Sequence, residues 1–404
     1  MKLFLICELI LIGTAYSFSY NDSEDCVADE EYLNCICNYR ENITVSASMD
    51  FDIKHVLVKG CGTVTMPLGA LTHLRLETID FLDIRQLNIR PFALAGVQGI
   101  ESLTIANVSE FNVKSHGFVG LFNVSRLIIS NVSATYLSTN SFGFVSNVKY
   151  FLIEHSNFLH VEDAAFFLAN ISTFKVFNTK FHGLRNTSFE VHISDEIVFE
   201  NCYFGETSQH SFSLSSIHNI TFQSCKFGLL ATSSFLSSEL QTFVLQNCTI
   251  ETLEKDAFAS LDVSEKLIFT HNNIEIVDAY AMTPNIVSNF TKPLKVENCC
   301  NSFTCDCSIF WMLSSDYDSR PYDSFSHQSF CIGNPSTKLT DLIPVLDSSG
   351  NCMTLEMKSP QLPKESAIYK SKGQTLSLQI GMLLLNIIWI FHFVSSTYDA
   401  AEVI

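Results

Sequence analysis

Three carboxylates, Asp195, Glu196 and Glu200, stand close together in the chain, and paired carboxylates are what acid/base cleavage of a glycosidic bond requires. Their spacing does not favour that chemistry. In the repeat described below they take strand positions two, three and seven, which belong to a solvated face and not to a converging pair. His155 and His160 lie far enough apart along one turn to face different surfaces, and no His/Cys pair outside the cysteine-rich ends has zinc-like spacing. Nor does the sequence hold a phosphate-cradling glycine-rich loop, or a Ser/His/Asp set anchored by a recognisable turn. The expectation is therefore no catalytic residue, no cofactor and no metal: a protein that binds and is not an enzyme.

Cysteines and asparagines say where it would work. Of 14 cysteines, all but Cys7 lie beyond the leader-like start, a count suited to an oxidising compartment. Asn-x-Ser/Thr sequons, the acceptors of N-glycosylation, begin at Asn21, Asn42, Asn107, Asn123, Asn131, Asn170, Asn186, Asn219, Asn247 and Asn289. Met1-Lys2 and the apolar run that follows, with small residues at Ala15, Ser17 and Ser19, read as a secretory signal peptide over 1–19. Residues 376–394 carry no charge and suffice to cross a bilayer, as a transmembrane span or a lipid-anchor signal after a polar stalk (353–375), leaving a short tail (395–404). The span is the expected tether. Net charge −18 argues against nucleic acid as a partner. The expected location is the cell surface, with the ectodomain outside the plasma membrane.

The elements that position these residues repeat. Ile217, Ile220, Phe222 and Phe227 occupy positions one, four, six and eleven of a segment whose ninth residue is Cys225. That ninth position recurs at Cys61, Ile84, Val108, Val132, Ser156, Thr179, Cys202, Cys225, Cys248 and Asn272, coming round at every twenty-third or twenty-fourth place in the chain. Ten places after each comes a large apolar side chain: Leu71, Leu94, Phe118, Phe142, Phe166, Phe189, Phe212, Phe235, Phe258 and Met282. Positions four and six alternate like a short strand with one buried face. Stacked turns then share a single core, and each leans only on its neighbours.

These columns resemble the extracellular leucine-rich-repeat family over roughly residues 53–298, in ten to eleven repeats. The resemblance implies an α/β solenoid: a leucine-rich-repeat horseshoe with a parallel β-sheet on its concave face and a convex side of irregular segments and short helices. Asn301 to Cys307, with Cys331 and Cys352, looks like the family's C-terminal cysteine cap (299–352), with Ser302 in place of its usual proline. That likeness implies the pairs Cys305–Cys331 and Cys307–Cys352. The N-terminal group (20–52, closed by Cys61) is similar to the matching cap and by analogy would pair Cys26–Cys37 and Cys35–Cys61, one of three connectivities open to four cysteines. Cys202, Cys225 and Cys248 read as buried thiols, whereas Cys299 and Cys300 have no assignment. A parallel β-helix is the rival, since its coils also run a little over twenty residues and many such proteins are carbohydrate lyases or hydrolases. The phased phenylalanines and the Cys-Asp-Cys cap favour the horseshoe.

The resemblance and the tether together imply a cell-surface glycoprotein for extracellular protein recognition or adhesion, or else a matrix or surface-organising glycoprotein that binds its own kind. In the horseshoe register, Asn107, Asn131, Asn219 and Asn247 would carry sugars on the concave face. The stretch between them exposes Tyr150, Leu152, Glu154, His155, Lys175, Phe177, Asp195, Glu196 and Glu200. That aromatic and charged mixture is the expected partner-binding patch.

Overall fold

A computed structural model describes residues 26–278 apart from 40 and 47–51, together with 281, 294–313, 328–348 and 351–357. The expected leader (1–19), Asn21, Met282, Asn289, most of the expected stalk, the apolar segment 376–394 and residues 395–404 lie outside the described residues. Among those described, no helix is long and apolar enough to cross a membrane.

The repeat closes as a β-solenoid coil and not as a horseshoe. Phe166–Phe177 and Lys180–Leu184 show the plan. The first strand runs straight to Asn170, bends there, continues to Phe177, turns at Asn178, and the second strand forms a third side. Each side pairs in parallel with the same side of the coils before and after, for example Leu168↔Val191, Lys175↔Val198 and Phe181↔Phe204. Three parallel sheets thus enclose the core. Helix is confined, among the described residues, to Phe310–Leu313 and two short 3-10 turns in the C-terminal cap.

The corners explain how so short a stretch of chain completes a circuit. Each is a residue with left-handed φ, and the same corner recurs coil after coil. One column runs Gly60, Asp83, Asn107, Asn131, His155, Asn178, Asn201, Ser224, Asn247, His271 and Cys300, with φ from 48° to 68°. Asparagine, aspartate and glycine tolerate this conformation best, and asparagine side chains stacked there bond along the column. Asn107 Nδ2 donates to Asp83 Oδ1 at 2.8 Å and Asn131 Nδ2 to Asn107 Oδ1 at 2.8 Å. A second column, Asn123, Asn147 and Asn170, forms the same kind of ladder at 3.1 and 2.6 Å.

Ile193 interrupts that second column. It has φ 62° and is 57% exposed, so a β-branched side chain sits in a strained conformation without burying its surface. Ile193→Asn should relieve the strain and extend the ladder from Asn170, raising stability by about 1 kcal/mol. A thermal midpoint that stays put or falls would count against this account of the corners.

Inside, the alternation seen in the sequence becomes stacked aromatic columns. Phe118, Phe142, Phe166, Phe189, Phe212, Phe235 and Phe258 stack ring on ring, centroids 4.6–5.5 Å apart and planes within 16° of parallel. A second column, Phe158, Phe181, Phe204 and Phe227, lies behind the third sheet with centroids 4.9–5.5 Å apart. Ninth-position side chains, apolar at Ile84, Val108 and Val132, form a polar thread through this core from Ser156 onward. Cys202, Cys225 and Cys248 are buried free thiols, each donating to a carbonyl of the coil before it (Val176, Phe199 and Phe222) at 3.3–3.4 Å. Asn272 and Asn301 make the same bond with their amides, at 2.9 and 2.8 Å. Burial pushes the Cys225 thiol well above its ordinary value, which keeps it protonated.

The expected convex side of short helices is replaced by strand where the phenylalanine column begins each coil. After Phe166, Phe189 and Phe212 the next buried side chains are Leu168, Val191 and Leu214, two places on, with Phe167, Glu190 and Ser213 turned outward. Period two is a strand; a helical turn would bury the third or fourth residue. Only in flanking coils does the segment curl into turns, with Leu94 and Val97 or Phe118 and Leu121 buried three apart.

Disulfides sit at both ends. The C-terminal cap holds Cys305–Cys331 and Cys307–Cys352. At the N-terminus the bonds are Cys26–Cys35 and Cys37–Cys61, in place of the expected Cys26–Cys37 and Cys35–Cys61. The cause is an antiparallel hairpin that family analogy does not supply. Cys26–Ala28 folds back on Tyr32–Ile36 with Cys26 directly opposite Cys35. Cys37 then sits beside the next coil, its N–H donating to Lys59 O at 2.9 Å, within reach of Cys61.

Candidate binding face

The second sheet's outer face carries the residues singled out from the sequence, with one change of setting: it is one wall of a three-sided coil and not the lining of an arc. Three neighbouring strands supply it: Phe142–Glu154, Phe166–Phe177 and Phe189–Glu200. Because side chains alternate, every second residue points out, and parallel register aligns them in rows. Tyr150, Thr173 and Glu196 form one row; Leu152, Lys175 and Val198 the next; Glu154, Phe177 and Glu200 the third. All nine are half-buried by their neighbours, which leaves their outer edges accessible.

The charges on this face are partnered across strands. Lys175 Nζ lies 3.0 Å from Glu196 Oε2, and Glu154 Oε1 accepts from Ser130 Oγ at 2.9 Å. Phe177 lies between the two glutamates of its row, an apolar platform flanked by Glu154 and Glu200. His155 is set apart, exposed at the left-handed corner where the face ends. Asp195 is exposed near the opposite edge, with His218 Nδ1 at 3.2 Å. The structure thus brings seven of the nine residues of the expected patch onto one surface and places two, His155 and Asp195, on its rims.

All eight sequon asparagines within the described residues, from Asn42 to Asn247, are exposed. Asn107, Asn131 and Asn247 stand at the corner column beside this face, Asn219 on the face itself, and Asn123 and Asn170 at the opposite corner. Between Asn131 and Asn247 that first corner holds His155, Asn178, Asn201 and Ser224, none of them a sequon.

The family model described as a right-handed beta helix region matches residues 140–299, about two-fifths of the chain and including every strand of this face. The chain is similar to right-handed β-helices. This match and the closed coils overturn the resemblance to leucine-rich repeats, and with it the horseshoe. A period a little over twenty and a ninth-position Cys or Asn serve both architectures, which is why the period alone does not separate them. No curated protein matches the sequence.

One grouping escapes sequence reasoning. His271, Cys299 and Cys300 present side-chain donor atoms that all lie within 4.8 Å of one another. The Cys300 thiol donates to Cys299 Sγ at 2.8 Å. That bond, with partial burial and the nearby Cys300 and Glu297, pushes the Cys299 thiol up to about 11. Nothing local announces the cluster, because the cysteines follow His271 by more than a full coil of chain and meet it only through coil stacking.

Proposed function

We propose that this chain is an extracellular β-helix glycoprotein that binds a partner protein, or a second copy of itself, on the outer face of its second sheet. What supports the reading most is the composition of the face from Tyr150 to Glu200: aromatic, aliphatic and charged side chains on a rigid surface, in the stretch of corner that carries no sequon. Rigid strands hold such side chains with little ordering cost on binding, and aromatic anchors dominate interface energies. Glycans on Asn107, Asn131, Asn219 and Asn247 would border the patch on one side, and one on Asn170 would stand at its opposite corner. Disulfide-closed ends and exposed sequons suit the secretory route, and a C-terminal tether at 376–394 would hold the protein at the cell surface.

The test is the expected ectodomain, residues 20–375, secreted and multimerised, screened against extracellular proteins and against itself. Tyr150→Ser with Phe177→Ser should reduce binding at least about tenfold, as loss of two interface aromatics does. Phe177→Asn supplies an independent arm, because it creates a sequon with Asn178 and Thr179 and would plant a sugar in the middle of the face. Full-strength binding by both variants would move the site elsewhere.

A second reading rests on Glu154 and Glu200, which flank Phe177 in matched register two strands apart. Two strand spacings are about 9.6 Å, at the upper edge of the separation that inverting glycoside hydrolases use. A fold assigns no chemistry by itself. Release of reducing sugar from polysaccharides by the wild type, lost in Glu154→Gln and Glu200→Gln, would establish the enzyme; its absence leaves the face to binding.

A further inference from the structure

We propose that His271, Cys299 and Cys300 form a binding site for one thiophilic divalent cation, zinc(II) foremost, which staples the last two coils together. The corner column brings the ligands into place. His271 and Cys300 are successive corner residues, with φ 59° and 65°, so their side chains leave adjacent coils side by side. Cys299 pairs in register with Thr270, the residue before His271, and His271 N–H donates to Cys299 O at 3.1 Å. Elsewhere this column carries mostly asparagine, aspartate or serine; only here does it set imidazole beside sulfur. Two thiolates and one imidazole are one of the ligand sets that hold zinc with its fourth position open to water.

The geometry needs only a small adjustment. Cys299 and Cys300 sulfurs stand 2.8 Å apart, and tetrahedral zinc with bonds of about 2.3 Å would hold them about 3.8 Å apart. His271 is exposed and both cysteines are half-buried, so the site opens to solvent and a cation can enter. Binding replaces both thiol protons, which pass to the solvent, so uptake of Zn(II) releases two protons at neutral pH. Among the described residues, these are the free cysteines that are not buried. The chain also gives a staple something to do at this place. The step from His271 to Cys300 is the longest between successive residues of the corner column, so a cation there would close the longest coil.

The experiment uses the full chain, produced by eukaryotic cells and freed of metal, with Co(II) alone as the spectroscopic probe. The expected result is one Co(II) per chain with a thiolate charge-transfer band in the near ultraviolet, displaced by Zn(II). His271→Ala should weaken Co(II) binding by at least about tenfold, the loss that removing even an outer-shell partner causes. Cys300→Ser should abolish most of the band. Bound Zn(II) should also protect Cys299 and Cys300 of the wild type from alkylation, a readout that needs no variant to fold. The proposal is overturned if the peptide holding both cysteines is two hydrogens lighter, a disulfide between them. It falls equally if Co(II) gives no thiolate band while both cysteines alkylate freely, or if the band survives unchanged in both variants, which marks an adventitious ion only.

Discussion

Replacing Phe189 or Phe212 with alanine should destabilise the protein by about 3–5 kcal/mol, enough to lower the yield of folded chain severalfold. Both rings are buried and contact aromatics on several sides. Phe212 stacks on Phe189 at 5.5 Å and on Phe235 at 5.1 Å, and meets Phe199, Phe204 and Phe222 edge-on. Removing it leaves a ring-sized cavity in a stack whose strands are fixed by hydrogen bonds to both neighbouring coils, so the walls cannot collapse to fill it. The loss should be similar at either position, because the two rings occupy equivalent places in equivalent coils. Chemical denaturation of the purified variants, with their yield relative to wild type, measures it. Wild-type yield and midpoint for both would refute the packing described here.

Opening the Cys307–Cys352 bond by double replacement with alanine should cost about 4 kcal/mol, from the chain entropy that its 45-residue loop returns to the unfolded state. The bond does more than close a loop. Phe303, Ile309, Met312 and Leu339 are buried in the cap, where they cover the apolar end of the last coil. A solenoid has no other means of hiding its final core layer. The expected sign is an earlier unfolding step and binding of a hydrophobic dye, whereas the double replacement should leave the middle coils protected from hydrogen exchange. Uniform loss of protection along the whole chain would show that the cap does not act locally.

Much of this architecture is legible in the residues, although its family is not. The ninth-position column and the phenylalanine column both lie in the core, stacked in the order their spacing gives. The face from Tyr150 to Glu200 is continuous because strand alternation and a constant coil length fix it without further information. The shape of the coil escapes for a specific reason. Between Leu184 and Phe189, and at Asn170 and Asn178, direction is set by single left-handed corners, and asparagine or threonine there is equally at home in any loop. The period-two burial of Phe189 and Val191 is the available signal for a third wall of strand, and the leucine-rich template, which expects a helical turn there, obscures it. The N-terminal disulfide pairing fails on the same analogy. The cluster of His271 with Cys299 and Cys300 depends on register between successive coils and carries no local motif.

A coil adds one strand spacing, about 4.8 Å, to each sheet, so distances along the solenoid are counted in whole coils. The corner asparagines Asn131 and Asn247 are five coils apart, and sugars at the two would frame a window of about 24 Å along that corner. The chain therefore carries a ruler. Loss or gain of one coil would shift the frame by a single graduation and keep every other row of the face intact. Reach could then change in evolution without any new surface having to be built.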